Sequence, residues 1–303
     1  MVKKSWLAVT KNNDTLLILT NFCIGYSAVA SLFRLIHSLR YIEDHGIAYN
    51  LLLCIQGKKS EFEIPPHVRR KVSATVHSES KSISSARNQL IEYCMATYPT
   101  SSRVLFLDDD CFITAPAASI IASWLKRISI SAILMGRPPW GIPLPFRATQ
   151  PIASSWLWQG YVWTTVFPLS AFIGVRFDES IGPGSGSERR AGEDFSFMLD
   201  IVRKNKDIKI LFCYKFMIGH PPRSDMLSKQ LEYARGHAYV LTRALFRQKN
   251  LYMTLVAWTY LAAFISRPML NLAKNPNQGA LVLVRRRIAA LYMESVTAIV
   301  HER

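Results

Sequence analysis

The stretch that decides the fold is "VLFLDDDCFI", residues 104–113. Four apolar residues predict a short buried strand, and the aspartates Asp108, Asp109 and Asp110 follow it directly. Three adjacent carboxylates repel one another, and nothing in the stretch neutralises them. On an extended segment Asp108 and Asp110 point to the same side, so they could face one divalent cation that relieves the repulsion. The alternative is an acidic turn exposed to solvent.

The segments around this stretch alternate between strands and helices. Strands are predicted at residues 16–20, 49–55, 103–107 and 132–135, and helices at about 28–41, 86–96 and 119–127. Such alternation predicts an α/β fold with a mostly parallel sheet flanked by helices. In these sheets ligands bind at the carboxyl ends of the strands, which is where the three aspartates lie.

The chain changes character after residue 136. Residues 137–165 are rich in Pro and Trp, which predicts an irregular insertion or short paired strands. Further strands are expected in "FPLSAFI" and "IKILFCYKF", and Ser84 or Ser85 is expected to cap the helix that follows "KSI". "GPGSGSERRAGED" predicts a mobile loop that leads into a helix over residues 193–204. From residue 224 onward the apolar spacing predicts a helical extension.

The composition limits the partners and the compartment. The formal net charge is +16, which favours an anionic partner: nucleic acid, an acidic membrane surface or a phosphorylated ligand. The basic cluster "VRRRIAA" comes without any nucleic-acid-binding signature, so nucleic acid is not expected. Five widely spaced cysteines favour neither a disulfide framework nor a zinc cluster, and they fit a reducing cytoplasm. The N-terminus shows no pattern of a signal peptide.

Two apolar segments could touch a membrane. Residues 16–33 are about long enough to span a bilayer, but polar residues and a glycine break them into a strand and a helix. Residues 251–265 are uncharged and too short to span comfortably, and basic residues flank them on both sides. They suit an interfacial helix docked on the membrane or a buried core helix.

Three more polar residues could carry chemistry. Glu193 and Asp194 open a predicted helix, where the helix dipole favours acids and would lower their pKa, keeping a catalytic base ionised. The alternative is an ordinary acidic first turn. His220 ends a predicted strand before two prolines, and it could be a metal ligand or a polar loop residue.

In order and spacing, these pieces resemble the family 2 inverting glycosyltransferases of the Rossmann-like GT-A fold, over about residues 16–243. The matching segments are the Thr-Asn strand "LLILTNF", the Ser-x-x-Ala-Arg-Asn helix "SISSARNQLIEYC", the Asp-x-Asp segment "VLFLDDD", the acceptor-side segment that contains "GED", and the late His of "GHPP". The resemblance implies a GT-A domain over residues 1–222, with a nucleotide-sugar half at about 1–136 and an acceptor half at about 137–222. Residues 223–303 would then be a helical, membrane-associated extension.

The resemblance also implies an activity and a location. The expected reaction moves a sugar from a nucleotide-sugar donor to a hydroxyl of a glycan or lipid-linked acceptor, with inversion, in bacterial cell-surface polysaccharide synthesis. The expected cofactor is Mn²⁺ or Mg²⁺. The expected location is cytoplasmic, against the anionic inner face of the cytoplasmic membrane.

Residue by residue, the resemblance assigns four kinds of role. The base is Asp194, and the metal ligands are Asp110, Asp108 and His220. The donor-binding residues are Thr20, Asn21, Gln56, Arg87, Asp108 and Asp109. The acceptor-binding residues are Glu193, Gly184 and Trp163.

One residue departs from the family pattern. Family members often carry an acid after the second strand that binds the nucleotide base, and here Gln56 takes that place. Two rival functions stay open. One is a metal-dependent phosphoryl or nucleotidyl transferase, which also needs clustered aspartates. The other is a catalytically inactive, membrane-associated binding protein.

Overall fold

The computed structural model describes residues 15–23, 26–57, 64, 66–127, 132–139, 150–151, 161–221, 226–247, 251–274 and 276–301. Within this part of the chain the strands form one eight-stranded sheet. They are β1 (Leu16–Cys23), β2 (Tyr49–Gln56), β3 (Val72–Ser78), β4 (Arg103–Leu107), β5 (Ala132–Met135), β6 (Gln150–Pro151), β7 (Thr165–Pro168) and β8 (Lys209–Phe212).

The sheet is mostly parallel, as the sequence predicts. Its order is β3-β2-β1-β4-β7-β5-β8-β6. Strands β1 to β4 are parallel to their neighbours within that group, and β8 is parallel to β5. Strand β7 lies antiparallel between β4 and β5, and β6 is an antiparallel strand on β8. The register pairs Thr20 with Leu107, so the carboxyl end of β4 and its aspartates lie beside the end of β1.

Helices cover both faces of the sheet. They are α1 (Tyr26–Ser38), α2 (Arg40–Asp44), α3 (Pro66–Arg69), α4 (Ile83–Thr97), α5 (Ala115–Arg127), α6 (Glu193–Lys204), α7 (Met226–Arg247), α8 (Leu251–Lys274) and α9 (Gln278–His301). Strand β1 is buried on both faces: Leu17 and Leu19 point into one core cluster, and Leu16 and Ile18 point into the other. This explains the apolar run Leu16–Leu19 at its start, which is typical of a central parallel strand.

Three local predictions are wrong. Helix α4 is capped by Ser82, not by Ser84 or Ser85, because the Ser82 hydroxyl accepts from the backbone N–H of Ser85. The segment "FPLSAFI" continues β7 only to Pro168 and then forms a 3-10 turn. Residues 108–111 are a turn, closed by the Cys111 N–H on the Asp108 carbonyl at 3.0 Å. The argument that Asp108 and Asp110 share a side of an extended segment therefore does not apply.

The two apolar segments form part of the folded body. Residues 16–33 are divided between β1 and α1, as their polar breaks predict. One face of α8 lies in the core, where the Tyr260 ring meets the Phe195 ring edge-on at 4.6 Å. No helix among the described residues is long and apolar enough to cross a membrane. The division into a catalytic domain and an extension stays a prediction, as does most of the structure predicted for residues 137–165, which lies outside the described residues.

Candidate active site

The site is organised around a buried arginine. Arg87 lies on α4 with its side chain 2% exposed. Its guanidinium donates through Nη2 to Asp108 Oδ1 and through Nη1 to Asp194 Oδ1, both at 2.7 Å, and Glu193 Oε1 lies 3.8 Å from Nη1. The acid at the end of β4 and the acids at the start of α6 therefore meet at one guanidinium. Sequence analysis places Arg87 against the donor, whereas here it links the acids to one another.

One guanidinium cannot neutralise three carboxylates, and the pKa values of Asp194 and Glu193 reflect this. Burial raises the pKa of Asp194, and the positive charge of Arg87 opposes the effect. Burial also raises the pKa of Glu193 to about 8, and the neighbouring Asp194 adds to it. The expectation that the helix dipole lowers these values is wrong, because a helix terminus contributes typically 0.3–1 kcal/mol and loss of water costs more. A raised pKa makes Asp194 a stronger base when it is ionised.

The orientation of Asp194 is fixed from two sides. Its Oδ1 accepts from Arg87, and its Oδ2 accepts from the backbone N–H of Val162 at 3.2 Å. Val162 belongs to the short 3-10 turn Val162–Thr164 before β7. Sequence analysis missed this contact, because the turn closes the Pro- and Trp-rich insertion and carries no pattern that predicts its position.

The backbone before Asp194 is tightly packed. Gly192 has φ +93°, and a Cβ there would lie 2.9 Å from the carbonyl oxygen of Gly236 on α7. Gly184 has φ +76°, and a Cβ there would lie 1.9 Å from the carbonyl oxygen of Lys81. Both positions require glycine. Gly184 thus packs against the segment before α4, although it was predicted to bind the acceptor.

Ion pairs anchor the same loop to the C-terminal helices. Glu294 of α9, whose side chain is 1% exposed, accepts from Arg189 of the loop at 2.9 Å and from Arg235 of α7 at 2.8 Å. The Arg189 guanidinium also lies 3.9 Å from the ring centre of Tyr239. The glycines predict that the loop before α6 is mobile. A closing motion of the whole loop would have to break its contacts with Glu294 and Tyr239.

A second cluster could hold a metal ion. Single ligand atoms of Asp110, Cys111 and His220 all lie within 4.8 Å of one another, and Asp110 Oδ2 is 3.2 Å from His220 Nε2. The segments meet because Phe112 and Gly219 exchange backbone hydrogen bonds at 2.9 Å. Asp110 and His220 are therefore brought together as predicted, whereas Asp108 is paired with Arg87, and Asp109 lies half-buried in the turn between them.

Cys111 was not foreseen as a member of this group. Its position beside Asp110 is the one signal in the sequence. Burial raises the pKa of its thiol well above the ordinary value. A carboxylate oxygen and an imidazole nitrogen are the useful ligands, and they fit a divalent ion.

The donor-side residues at the ends of β1 and β2 are buried. The Gln56 carboxamide donates to the carbonyls of Ser80 and Ser82 at 3.1 and 3.0 Å, and it accepts from Asn21 at 3.3 Å. Thr20 is 1% exposed. Gln56 and Asn21 therefore hold the segment before α4 in place and shape the edge of the site. This geometry does not support Gln56 as a direct ligand of the nucleotide base.

The acceptor-side predictions separate into near and far residues. Trp163 lies beside the metal cluster, with its ring centre 5.5 Å from that of His220 and 5.4 Å from that of Tyr161. Glu193 is buried behind Gly182. A Cβ added to Gly182 would lie 3.1 Å from the Glu193 carboxylate. Of the three residues predicted to bind the acceptor, Trp163 is the one adjacent to the candidate ligands Asp110 and His220.

Comparisons with known proteins show the fold. No protein-family model matches the chain, and no curated protein matches it in sequence. Solved structures of Staphylococcus aureus TarS do match in shape. TarS 1-349 is 12% identical, with a TM-score of 0.56 over 93% of this chain and 81% of that chain. TarS 1-349 in complex with UDP-GlcNAc has a TM-score of 0.61 at 12% identity, over 93% of this chain and 80% of that chain.

A longer TarS structure also matches in shape. The S. aureus TarS structure is 12% identical with a TM-score of 0.56, and the match covers 93% of this chain and 55% of that one. At this identity the likeness concerns the fold. The predicted fold class is therefore confirmed: a mixed α/β sheet flanked by helices, with a helical C-terminal region, as in the TarS structures.

Proposed function

We propose that this chain is a glycosyltransferase that moves a sugar from a nucleoside diphosphate sugar to an acceptor hydroxyl. The observation that carries the proposal is the meeting of Asp108 and Asp194 on the guanidinium of Arg87, at the carboxyl end of β4 in a GT-A-like sheet. Ligands bind at this edge of such sheets. The TarS structure that contains UDP-GlcNAc supports a nucleotide sugar as the donor.

Asp194 is the proposed base of an inverting, family 2 type reaction. Arg87 and the Val162 N–H hold its carboxylate in one orientation. The carboxylate takes the proton of the acceptor hydroxyl, whose oxygen attacks the anomeric carbon from the face opposite the diphosphate. The bond between the anomeric carbon and the diphosphate oxygen breaks, and the configuration inverts. Burial raises the pKa of Asp194, which strengthens it as a base.

Asp110 and His220 are the proposed holders of a divalent ion. Their mixed oxygen and nitrogen donors suit Mn²⁺ better than Mg²⁺, which strongly prefers oxygen. When bound, such an ion supplies positive charge that stabilises the departing diphosphate. Asp108 is the proposed contact to the ribose or sugar of the donor, with Arg87 fixing its carboxylate.

The acceptor is proposed to be a glycan or a lipid-linked sugar of a bacterial cell-surface polysaccharide, reached from the cytoplasmic side of the membrane. Trp163 is 4% exposed and packs beside His220, so it is proposed to shape the acceptor side of the site from behind His220. In this arrangement residues 1–136 hold the donor, and residues 137–222 contribute the base and the acceptor contacts.

Thermal unfolding with a panel of nucleotide sugars tests the proposal, because a bound ligand stabilises the native state by mass action. We expect one nucleotide sugar to raise the Tm in the presence of Mn²⁺, and EDTA to remove the effect. The matching free sugar is the control and should give no shift. A panel without any shift, or release of pyrophosphate in place of a nucleoside diphosphate, would contradict the proposal.

A further inference from the structure

Large apolar side chains are exposed on the two C-terminal helices. On α8 and α9 the exposed members are Trp258, Met269, Leu270, Leu281, Val282, Ile288, Tyr292, Met293 and Val296. Tyr292 is 72% exposed, and Ile288 and Trp258 are 53% and 57% exposed. Scattered single apolar residues on a surface need no explanation, but a concentration on two neighbouring helices marks an interaction surface.

Helix α9 is apolar on its outer face as well as its inner one. The inner face carries Leu283, Ala290 and Glu294, which are buried against the rest of the fold. On the opposite side, Leu281, Ile288 and Tyr292 recur at helical spacing and are exposed. An ordinary surface helix shows polar residues there. The exposed apolar residues on the outer face of α9 therefore indicate that this face binds another surface.

Exposed cations accompany these apolar side chains. Arg285 and Arg286 lie on α9, and Arg267 and Lys274 lie on α8, all exposed. Aromatic and aliphatic side chains mixed with Lys and Arg are typical of helices that lie in the headgroup region of a membrane. The formal net charge of +16 makes two copies of the chain repel each other, and it attracts an anionic surface. The charge thus favours lipid over a second copy.

We propose that the outer face of α9, together with Trp258, Met269 and Leu270 of α8, docks on an anionic phospholipid surface. The docking face differs from the one that the sequence predicts, because Tyr260 and Phe264 of α8 are buried in the core. The inner face of α9 stays packed, and there Glu294 holds the loop that leads to Asp194. This proposal depends on the proposed function in one respect, the membrane location of the acceptor. The residues of the docking face are not among the residues of the candidate active site.

Vesicle flotation of the full chain is the test. Vesicles that contain phosphatidylglycerol should bind the protein, vesicles of phosphatidylcholine alone should bind it much less, and high salt should weaken the binding. The variant Arg285→Glu/Arg286→Glu should bind anionic vesicles about 30-fold or more weakly, since each cation near the surface contributes about 1 kcal/mol. The control is Arg69→Glu/Arg70→Glu, which changes the net charge equally on exposed arginines of the α3 region and should lose much less.

The apolar contribution has its own variant. Ile288→Ser/Tyr292→Ser should lower vesicle binding at high salt while the far-UV circular dichroism and the Tm stay unchanged, because both side chains are exposed. The inference is overturned by absence of binding to anionic vesicles, or by an equal loss in the α3 control. It is also overturned if the wild type does not bind vesicles and sedimentation shows that it is a dimer. In that case Ile288→Ser/Tyr292→Ser would convert the dimer to a monomer.

The two proposals can fail separately. Nucleotide-sugar protection measured on the same α9 variants should be unchanged, because the replaced side chains are exposed on the face of α9 opposite Glu294. If the wild type does not bind vesicles but a nucleotide sugar still raises its Tm, the docking surface alone is overturned. Vesicle binding without protection by any nucleotide sugar would overturn the proposed function alone.

Discussion

Replacement of Arg87 by methionine removes the positive charge on which the candidate site depends. The guanidinium is buried and donates to Asp108 and Asp194 at 2.7 Å. Without it, Asp108, Asp194 and Glu193 keep their low exposure and lose their common partner. Removing one partner of a buried ion pair costs about 3–5 kcal/mol. We expect a loss of that size in the free energy of unfolding at pH 8.

The loss should depend on pH, and its sign follows from the carboxylates. Arg87 opposes the effect of burial on Asp194 and Glu193, so its removal raises the pKa of both carboxyls further. A carboxyl whose pKa is higher in the folded state than in the unfolded chain binds its proton on folding, so stability falls as the pH rises between the two values. Arg87→Met should therefore cost less at pH 5 than at pH 8.

Urea unfolding of the wild type and Arg87→Met at both pH values measures the effect. The matched control is Arg103→Met. Arg103 is also buried, but it donates to the carbonyl of Ser101 at 2.8 Å and lies over the Trp124 ring. Its replacement should destabilise by a similar amount at both pH values. An equal cost of Arg87→Met at pH 5 and pH 8 would refute the argument that this guanidinium sets the charge of the site.

Three further predictions follow from the site and its supports. Asp110→Ala should abolish the Mn²⁺-dependent affinity for UDP in calorimetry, whereas Cys111→Ser should leave it nearly unchanged because carboxylate oxygens suit Mn²⁺ and thiolates suit softer ions; retained affinity in Asp110→Ala would contradict the metal assignment. Glu193→Gln should reduce the loss of stability from about pH 5 to pH 8, since burial raises the pKa of Glu193 to about 8 and the wild type must take up a proton on folding in this range; parallel stability curves would contradict it. Glu294→Gln should cost about 1.5–3 kcal/mol in urea unfolding because Arg189 and Arg235 lose the buried carboxylate that accepts from both, whereas the more exposed pair lost in Glu232→Gln should cost less than about 1 kcal/mol; equal costs would show that Glu294 is not the stronger anchor.

The strands and the approximate place of the site could be predicted from the sequence because their signals are local. Apolar runs mark β1, β2, β4 and β5, and the acids either follow β4 directly or open α6. His220 was placed near Asp110 on the resemblance, and the bridge between Phe112 and Gly219 confirms that the two lie together.

The missed features depend on contacts between distant parts of the chain. The partner of Asp194 at Val162 comes from a turn without a pattern, and Glu294 is a single acid in an apolar helix. The direction of the Asp194 pKa was wrong because burial, which the sequence does not display, outweighs the helix dipole. Gln56 occupies the expected position, but the sequence does not show that its carboxamide is already engaged by backbone carbonyls.

The central claim is that Asp194 is the catalytic base. The most direct test measures the rate of sugar transfer and the donor affinity of two variants, Asp194→Asn and Glu193→Gln. Asp194→Asn preserves the shape of the side chain and removes the base. Its one amide oxygen can still accept from Arg87, whereas the hydrogen bond from the Val162 N–H to Oδ2 is lost. We predict that Asp194→Asn binds the nucleotide sugar nearly as well as the wild type and transfers it about 10²-fold or more slowly. Glu193→Gln should lose much less, because its carboxylate is buried behind Gly182. Full transfer activity in Asp194→Asn would contradict the account.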